Sequence, residues 1–494
     1  MAIDEPSYEE LKELVASLEL VIEQQGAQNA ELRAQIEMLA RRITELEARV
    51  GQGSQTSSLP PSTDRPKERA EATKTRAERR AEDKRARKAE VRRRGKQPGA
   101  GGNHLAMTEY PDHVVVHEPG CCGACGEDLA DARVERVVRR QVFDVPDPRL
   151  FATEHRSVRR RCSCGEVSAG AFPAEARAPA CYGPNVRAMT LYLLHAQHLP
   201  VERTAKAVSA MLGADVSTGF VASLAAEAAG QLDVFLCDLV DALGNEDVVH
   251  ADETSEQVKT ATWWLHVVAS DRYTHLFASP TRGKDAPDAA GILGKFRGVM
   301  VHDRLAMYFN YRRARHAVCG AHLLRELHAV GIRFDQGWAN DMAALLTEMN
   351  DACHDARDNA RRRLPRRVLS GFVARYDALV TAGLDANPQP VGRSRDSLER
   401  KSCNLACALR DLRTEATRFA RDLSVPFTNN EAERSLRMAK LHRKISGCFQ
   451  SEEHARHFAA IRSYIDTARK HGVGALDVLG RLFRGDPWTI PQPT

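Results

Sequence analysis

The sequence predicts an α/β core interrupted by a long helical insertion, with a coiled coil, a zinc-binding segment and a helical region before it. Two apolar, strand-like runs end on acidic residues, Asp252 and Asp303. About 125 mostly helical, arginine-rich residues then precede a helix that starts near Thr428, too many for a loop. At 494 residues the chain is also too long for a single hydrophobic core.

Residues 8–50 are predicted to form a parallel dimeric coiled coil, through which the chain would assemble as a homodimer or a higher homo-oligomer. A seven-residue apolar repeat runs through this segment in one phase. Its d positions are Leu11, Leu18, Gln25, Leu32, Leu39 and Leu46, and its a positions are Val15, Ile22, Asn29, Ile36, Ile43 and Val50. β-Branched residues at a with leucine at d favour two parallel strands, and a lone asparagine at a fixes the register. The alternative is an amphipathic helix packed on its own protein.

Residues 51–110 are predicted to be a flexible, basic linker. Residues 1–50 carry 11 Asp/Glu and 5 Lys/Arg, a net charge of −6, whereas residues 65–97 carry 15 Lys/Arg and 6 Asp/Glu, a net charge of +9. Such a basic run, which includes Arg92, Arg93 and Arg94, suits a nucleic-acid partner, although a solvated charged face is the alternative. Without a signal peptide or a long apolar run, we expect a cytoplasmic, nucleoid-associated protein with no membrane partner.

Residues 111–180 contain a cysteine pattern that predicts structural zinc. Twelve cysteines are too sparse for a disulfide scaffold. Two close pairs, followed by glycines, are typical of a four-thiolate zinc ribbon: Cys122, Cys125, Cys162 and Cys164. Cys121 is an alternative to Cys122, and the other interpretation is a set of small buried apolar residues. Strands are expected over 134–145 and 150–161.

Residues 183–232 are predicted to be helical and helix-turn-helix-like. The expected helices are 185–198, 201–212 and 218–231, with a glycine-bearing turn before the last. The last helix either reads DNA or simply packs in a helical domain.

The predicted catalytic core comprises residues 245–304 and 426–475. Strands over 248–255, 261–270 and 273–279 are expected to form an antiparallel meander. A helix over 286–296 should then cross over to a strand, 299–303, beside the first. Residues 305–425 are expected to be the helical insertion, 452–471 a terminal helix and 476–494 a tail.

Three acids are predicted to meet in this core: Asp252, Asp303 and a glutamate of the helix that follows Thr428. Thr428, Asn429 or Asn430 is expected to be its N-cap. Acids on strand, strand and helix are the arrangement of metal-dependent nucleases with a ribonuclease-H-like core. Such enzymes use two Mg²⁺ or Mn²⁺ ions about 4 Å apart to stabilise the attacking and leaving oxygens of a phosphodiester. Each acid alone would be read as a solvated or capping carboxylate.

The third acid is predicted to be Glu433 rather than Glu431. A helix would place Arg437 and Lys440 on the face of Glu433, so that a metal ligand lies beside phosphate-binding cations. Together with Arg434, these two residues are the candidate DNA contacts of the core.

Several motifs together closely resemble the transposases of the insertion sequence 66 family. They are His250-Ala-Asp252-Glu-Thr, His302-Asp303-Arg, Cys319-Gly-Ala-His322-Leu-Leu-Arg-Glu326-Leu, Thr428-Asn-Asn-Glu-Ala-Glu433-Arg-Ser-Leu-Arg and Ile445-Ser-Gly-Cys-Phe. The resemblance implies a DDE transposase with Asp252, Asp303 and Glu433 as its triad. It also implies cleavage and strand transfer at the terminal inverted repeats of an insertion sequence. Accessory proteins encoded by the same element are possible further partners.

Two other functions and one further site remain open at this point. The alternatives are a non-catalytic DNA-binding regulator and a ribonuclease-H-like nuclease without strand transfer. Cys319 and His322 are expected to position the catalytic end of the fold. A second zinc site there is the less favoured interpretation, because no partner pair lies nearby in sequence.

Overall fold

A computed structural model describes residues 105–491 except 146–147, 174, 335 and 391–397, together with scattered positions between residues 17 and 39. The basic linker over 51–104 lies outside the described residues, as does most of the predicted coiled coil. The described positions between 17 and 39 are helical, and the apolar residues Leu32, Ile36 and Leu39 among them are exposed. The coiled-coil dimer therefore stays a prediction.

The chain divides into two units: residues 70–153 with 209–215, and the remaining residues. In the first unit the strand predicted over 134–145 is wrong, because these residues form no ladder and their valines are exposed. The segment is held instead by Gln141, whose side-chain oxygen accepts from the backbone N–H of Thr108 at 2.7 Å. Its side-chain nitrogen donates to the Thr108 carbonyl at 2.8 Å. One side chain satisfies the backbone groups that a neighbouring strand would otherwise pair.

The larger unit contains a small hairpin and a five-stranded mixed sheet. The hairpin pairs β1 (Arg159–Arg161) with β2 (Val167–Ala169). The sheet strands are β3 (Val248–Val258), β4 (Ala261–Ala269), β5 (Thr274–Ser279), β6 (Val299–His302) and β7 (Arg315–Val318). Their order is β5-β4-β3-β6-β7. β3, β4 and β5 are antiparallel, whereas β6 and β7 run parallel to β3.

This topology confirms the predicted meander and the placement of the fourth strand beside the first. β7 was not predicted, and it lies in the stretch that was expected to be helical. A mixed sheet of this order, flanked by helices, is compatible with a ribonuclease-H-like core.

The helices before the sheet confirm the expected pattern over 185–231. They are α1 (Pro184–Leu191), which continues as a π-helical turn (Tyr192–Ala196), α2 (Val201–Leu212), α3 (Thr218–Gly230) and α4 (Asp233–Gly244). After the meander, α5 covers only Asp285–Ala289. The predicted helix over 286–296 is wrong beyond that point. Gly291 has φ +74°, a left-handed conformation that ends helices.

Between β7 and the acid-bearing helix the described chain is helical, as predicted. The helices are α6 (Gly320–Phe334), α7 (Gly337–Asp358), α8 (Arg366–Ala386), α9 (Leu398–Asp411), α10 (Arg413–Ala416) and α11 (Arg418–Arg421). They share a hydrophobic core of their own, in which Leu327, Leu345, Met349 and Tyr376 are completely buried. Each helix therefore presents one apolar stripe to the others.

Three helices complete the part of the chain that is described up to residue 491: α12 (Asn430–Ser446), α13 (Glu452–Lys470) and α14 (Ala475–Phe483). α13 covers the edge strand β5. The hydroxyls of Ser463 and Thr467 accept from the backbone N–H groups of Leu276, at 2.8 Å, and Thr274, at 3.1 Å. Two donors at the edge are thereby paired, which protects it from pairing with another chain.

Among the described helices, none alone is long and apolar enough to cross a membrane. α3 and α4 reach that length and composition only when taken together, and they are bent by 52° relative to each other.

Candidate active site

Strand pairing brings Asp252 and Asp303 to the same level of the sheet. β3 and β6 are parallel, and His250 pairs with Val301. Each aspartate lies two residues beyond that pair, at the point where β6 ends. Side chains two residues apart on a strand share a face, so two parallel neighbours in this register present their acids side by side.

Asn429 fixes the start of α12 against β3. Its side-chain nitrogen donates to the Ala251 carbonyl at 2.9 Å, and its side-chain oxygen lies 3.0 Å from Nδ1 of His250. Since the amide nitrogen faces a carbonyl, the amide oxygen must accept, and Nδ1 of His250 carries the proton. Asn429 is the N-cap residue, as one of the predicted alternatives, but its side chain makes no capping bond.

The three predicted acids are coupled electrostatically at Asp252. Burial, followed by the charge of Glu253, raises the pKa of Asp252 to about 8. The negative charges of Asp303 and Glu433 raise it further. β3, β6 and α12 therefore each contribute one acid to an electrostatically coupled group, the acidic cluster Asp252, Asp303 and Glu433.

The two glutamates of α12 have different surroundings. Glu431 pairs with Arg434 at 2.7 Å and with Nζ of Lys470 at 3.4 Å. Oε1 of Glu433 is a buried atom without a hydrogen-bond partner, and it lies 3.8 Å from Nδ1 of His322. Glu431 is therefore neutralised by cations, whereas Glu433 faces the acidic cluster.

α12 also carries an exposed row of cations. The three residues expected to contact DNA, Arg434, Arg437 and Lys440, are all exposed. Arg443 and Lys444, which were not predicted to bind DNA, extend the row. Helical spacing of basic residues beyond position 440 was the signal that would have identified them.

Glu253 is a further acid of the site that was not predicted from the sequence. Its carboxylate accepts from Nε and Nη2 of Arg282, at 2.9 and 2.7 Å, and from the Tyr308 hydroxyl at 2.6 Å. Burial raises the pKa of Glu253, while these two hydrogen-bond donors oppose the shift. Its position next to Asp252 was the only sequence signal, and its partners come from a loop and from a short 3₁₀ turn.

Cys319 and His322 lie beside the acids. The Cys319 sulfur accepts from the backbone N–H of Asn429 at 3.2 Å, and burial raises the pKa of its thiol to about 11. The ligand atoms of Cys319, His322 and Glu433 all lie within 4.8 Å of one another. Cys319 and His322, which were expected to position the catalytic end of the fold, are therefore also candidate metal ligands. The third candidate ligand, Glu433, is distant from them in sequence.

The predicted zinc-binding cysteines form two separate turns. In one, the N–H of Gly126 donates to the Cys122 carbonyl, and backbone hydrogen bonds, chiefly from Cys125, lower the pKa of Cys122. In the other, hydrogen bonds, chiefly from the Cys164 backbone, lower the pKa of Cys162. The two pairs belong to different units, and the four-thiolate zinc site stays a prediction.

Comparison with known families places this chain among transposases. The model of the transposase IS66 family matches residues 179–457, more than half of the chain, so the chain belongs to that family. The match spans the sheet, the acids and α12.

Two further similarities concern less well defined proteins. A family of unknown function (DUF6444) matches residues 4–106. An uncharacterized protein, y4qI, from Sinorhizobium fredii (strain NBRC 101917 / NGR234) is 25% identical over 323 residues, which cover 59% of this chain and 58% of that relative.

Proposed function

We propose that this chain is a DDE transposase that binds the terminal inverted repeats of its insertion sequence and catalyses metal-dependent DNA cleavage and strand transfer. Asp252, Asp303 and Glu433 are its catalytic acids. The observation that carries the proposal is their convergence from β3, β6 and α12, which contributes to the pKa of about 8 at Asp252.

The acidic cluster fits Mg²⁺ or Mn²⁺. These ions prefer oxygen ligands, and Asp252, Asp303 and Glu433 supply three carboxylates. The negative charges of these carboxylates repel one another, and a bound cation would offset that repulsion. When bound, two such ions would activate the attacking oxygen and stabilise the leaving oxygen of a phosphodiester.

The protein residues around the acids have supporting roles in this proposal. Asn429 holds α12 at a fixed distance from β3, so that Glu433 reaches the two aspartates. Arg282 and Tyr308 hold the Glu253 carboxylate in a fixed position next to Asp252. The exposed cations of α12, Arg434, Arg437 and Lys440, would bind phosphates of the DNA and guide it to the acids.

End recognition and assembly are assigned to the N-terminal half. The basic arm with Arg92, Arg93 and Arg94 would bind phosphates, while the zinc segment and the helix-turn-helix-like helices would read base edges. The coiled coil would join two copies of the chain, and accessory proteins of the same element would complete the complex.

The choice of Glu433 over Glu431 can be tested with two isosteric variants. We expect Glu433→Gln to abolish Mg²⁺-dependent cleavage of labelled end DNA without changing binding in a gel shift. Glu431→Gln is the matched control, since it lies on the same helix and breaks only ion pairs, and it should keep most of the activity. Full activity in Glu433→Gln and none in Glu431→Gln would move the third acid to Glu431.

A further inference from the structure

Three side chains that different parts of the sequence supply meet beside the acidic cluster. Cys319 lies between β7 and α6, His322 is in the first turn of α6, and Glu433 is in the first turn of α12. Their sulfur, nitrogen and oxygen ligand atoms lie within 4.8 Å of one another. In the part of the chain that the structure describes, no other three His, Cys, Asp or Glu side chains, the acids of the cluster included, bring their ligand atoms this close together. A contact across more than 100 residues of sequence is not a local turn effect.

Two of these atoms are buried and have no hydrogen-bond partner. They are Nδ1 of His322 and Oε1 of Glu433, and they lie 3.8 Å apart. That distance is too long for a hydrogen bond between them. Each buried donor or acceptor left without a partner costs about 1–3 kcal/mol of folding free energy. A bound species between the two atoms would remove this cost.

The distance suits one metal ion between the two atoms. Ligands at about 2.1 Å from a tetrahedral zinc lie about 3.4 Å from each other. Thiolate and imidazole are ligands that zinc prefers and Mg²⁺ does not. The donor set therefore differs in class from the all-oxygen set of Asp252 and Asp303.

We propose that Cys319 Sγ, His322 Nδ1 and Glu433 Oε1 form a zinc-class metal site, separate from the ions that the acids would hold for catalysis. Three protein ligands leave a fourth position open to water or to an oxygen of DNA. A carboxylate offers two oxygens, so binding through Oε1 leaves the second oxygen of Glu433 for the catalytic ion. The ion would lock α6 and α12 together at the edge of the active site.

The surroundings already hold these ligands in place. The backbone N–H of Asn429 donates to the Cys319 sulfur, and the N–H of Gly320 donates to the Phe427 carbonyl at 2.8 Å. A side chain at Gly320 would collide with the Phe427 ring. Gly320 thus allows the start of α6 to approach the segment before α12 closely enough for the two to share an ion.

The experiment is a zinc-content measurement on the full-length chain after saturation and removal of excess metal. We expect the wild type to retain one equivalent more than Cys319→Ser, His322→Asn or Glu433→Gln. The decrease in zinc affinity should exceed the roughly 10- to 100-fold that removal of an outer-shell partner costs. Zinc on the other cysteine pairs is the same in every variant and cancels in the difference.

Matched controls are a buried cysteine and an exposed histidine elsewhere in the helical region. Cys353→Ser and His328→Asn should retain the wild-type stoichiometry. Cobalt substitution adds a second readout, because the thiolate-to-cobalt absorption should fall in Cys319→Ser and not in Cys353→Ser. Circular dichroism verifies folding, and Glu433→Gln, which keeps the side-chain shape, reports independently if Cys319→Ser does not fold.

Wild-type zinc content in folded His322→Asn and Glu433→Gln would overturn the proposal. The readout requires no DNA cleavage, so this result would leave the proposed transposase activity standing. Conversely, loss of zinc in these variants would support the site even if the chain cleaved no DNA.

Discussion

Asn429 lies at the start of a helix, but its side chain fixes the position of α12 relative to β3 and thereby the geometry of the acidic cluster. Its side chain joins α12 to His250 and Ala251, residues 179 and 178 positions away in sequence. The acids themselves could be predicted, because an aspartate follows each of two apolar runs, although Asp252 lies within β3 and only Asp303 lies at the end of its strand. The role of Asn429 could not, because capping preference is local and its actual bonds are tertiary.

Replacing Asn429 should therefore loosen the site as well as the fold. Asn429→Ala removes the partner of the Nδ1 hydrogen of His250 and one hydrogen bond to the Ala251 carbonyl, both in a buried position. We expect the free energy of unfolding in urea to fall by at least about 1–3 kcal/mol, and cleavage to fall with it. The exposed neighbour provides the control: Asn430→Ala should change stability by less than about 0.5 kcal/mol. Equal stability of the two variants would contradict this role.

At the scale of elements, aromatic rings join α12 and α13 to the segment that follows the π-helical turn. The His442 ring stacks on Phe449 with centroids 4.6 Å apart and lies 4.8 Å from Phe458. The His198 ring is 6.1 Å from that of His442. Burial lowers the pKa of both His198 and His442 to about 4, so both are neutral at pH 7.

This histidine packing makes stability depend on pH in a definite direction. Between about pH 6.5 and 4 the unfolded chain binds a proton at His442 that the folded chain does not, so stability is lost as pH falls through this window. His442→Phe keeps the stacking and removes the proton. We expect its stability relative to wild type to rise by up to about 3 kcal/mol as pH falls from 7 to 4, at about 1.4 kcal/mol per pH unit.

The control for this substitution is an exposed histidine at the start of α13. His454→Phe should follow the wild-type pH profile in urea unfolding at pH 4, 5, 6 and 7. If His442→Phe lost stability on acidification as steeply as wild type does, His442 would not be a source of the acid sensitivity.

The elements that the sequence predicted and those that it missed differ in length and pattern. The β3, β4 and β5 meander was predictable because these runs are long and rich in β-branched and aromatic residues. β7 is only four residues long and begins with Arg315 and His316, so its sequence resembles a loop. It becomes a strand because β6 offers a parallel edge beside it.

At the scale of the whole molecule, the basic residues and the catalytic acids lie in different parts of the sequence, with the basic segment near the N-terminus. Residues 65–97, with a net charge of +9, are not among the described residues, and their role rests on charge. The acids repel DNA until cations arrive, so the basic arm should supply most of the general affinity.

Deleting residues 65–97 should flatten the salt dependence of DNA binding. For every phosphate that the shortened protein no longer neutralises, the slope of log affinity against log salt on duplex DNA should decrease by about 0.9. Binding to an inverted repeat and to random duplex should weaken alike, because interactions with phosphates carry no base sequence. An unchanged slope in fluorescence anisotropy between 50 and 200 mM salt would place the phosphate-binding residues elsewhere.

The most direct test of the central claim is a joining assay in which a labelled end fragment is incubated with plasmid and Mg²⁺. Three variants, Asp252→Asn, Asp303→Asn and Glu433→Gln, are compared with wild type. If the acids act as one catalytic unit, wild type produces joined DNA, and each variant binds the end but joins none. Joining at the wild-type rate by any one of the three variants would contradict the account.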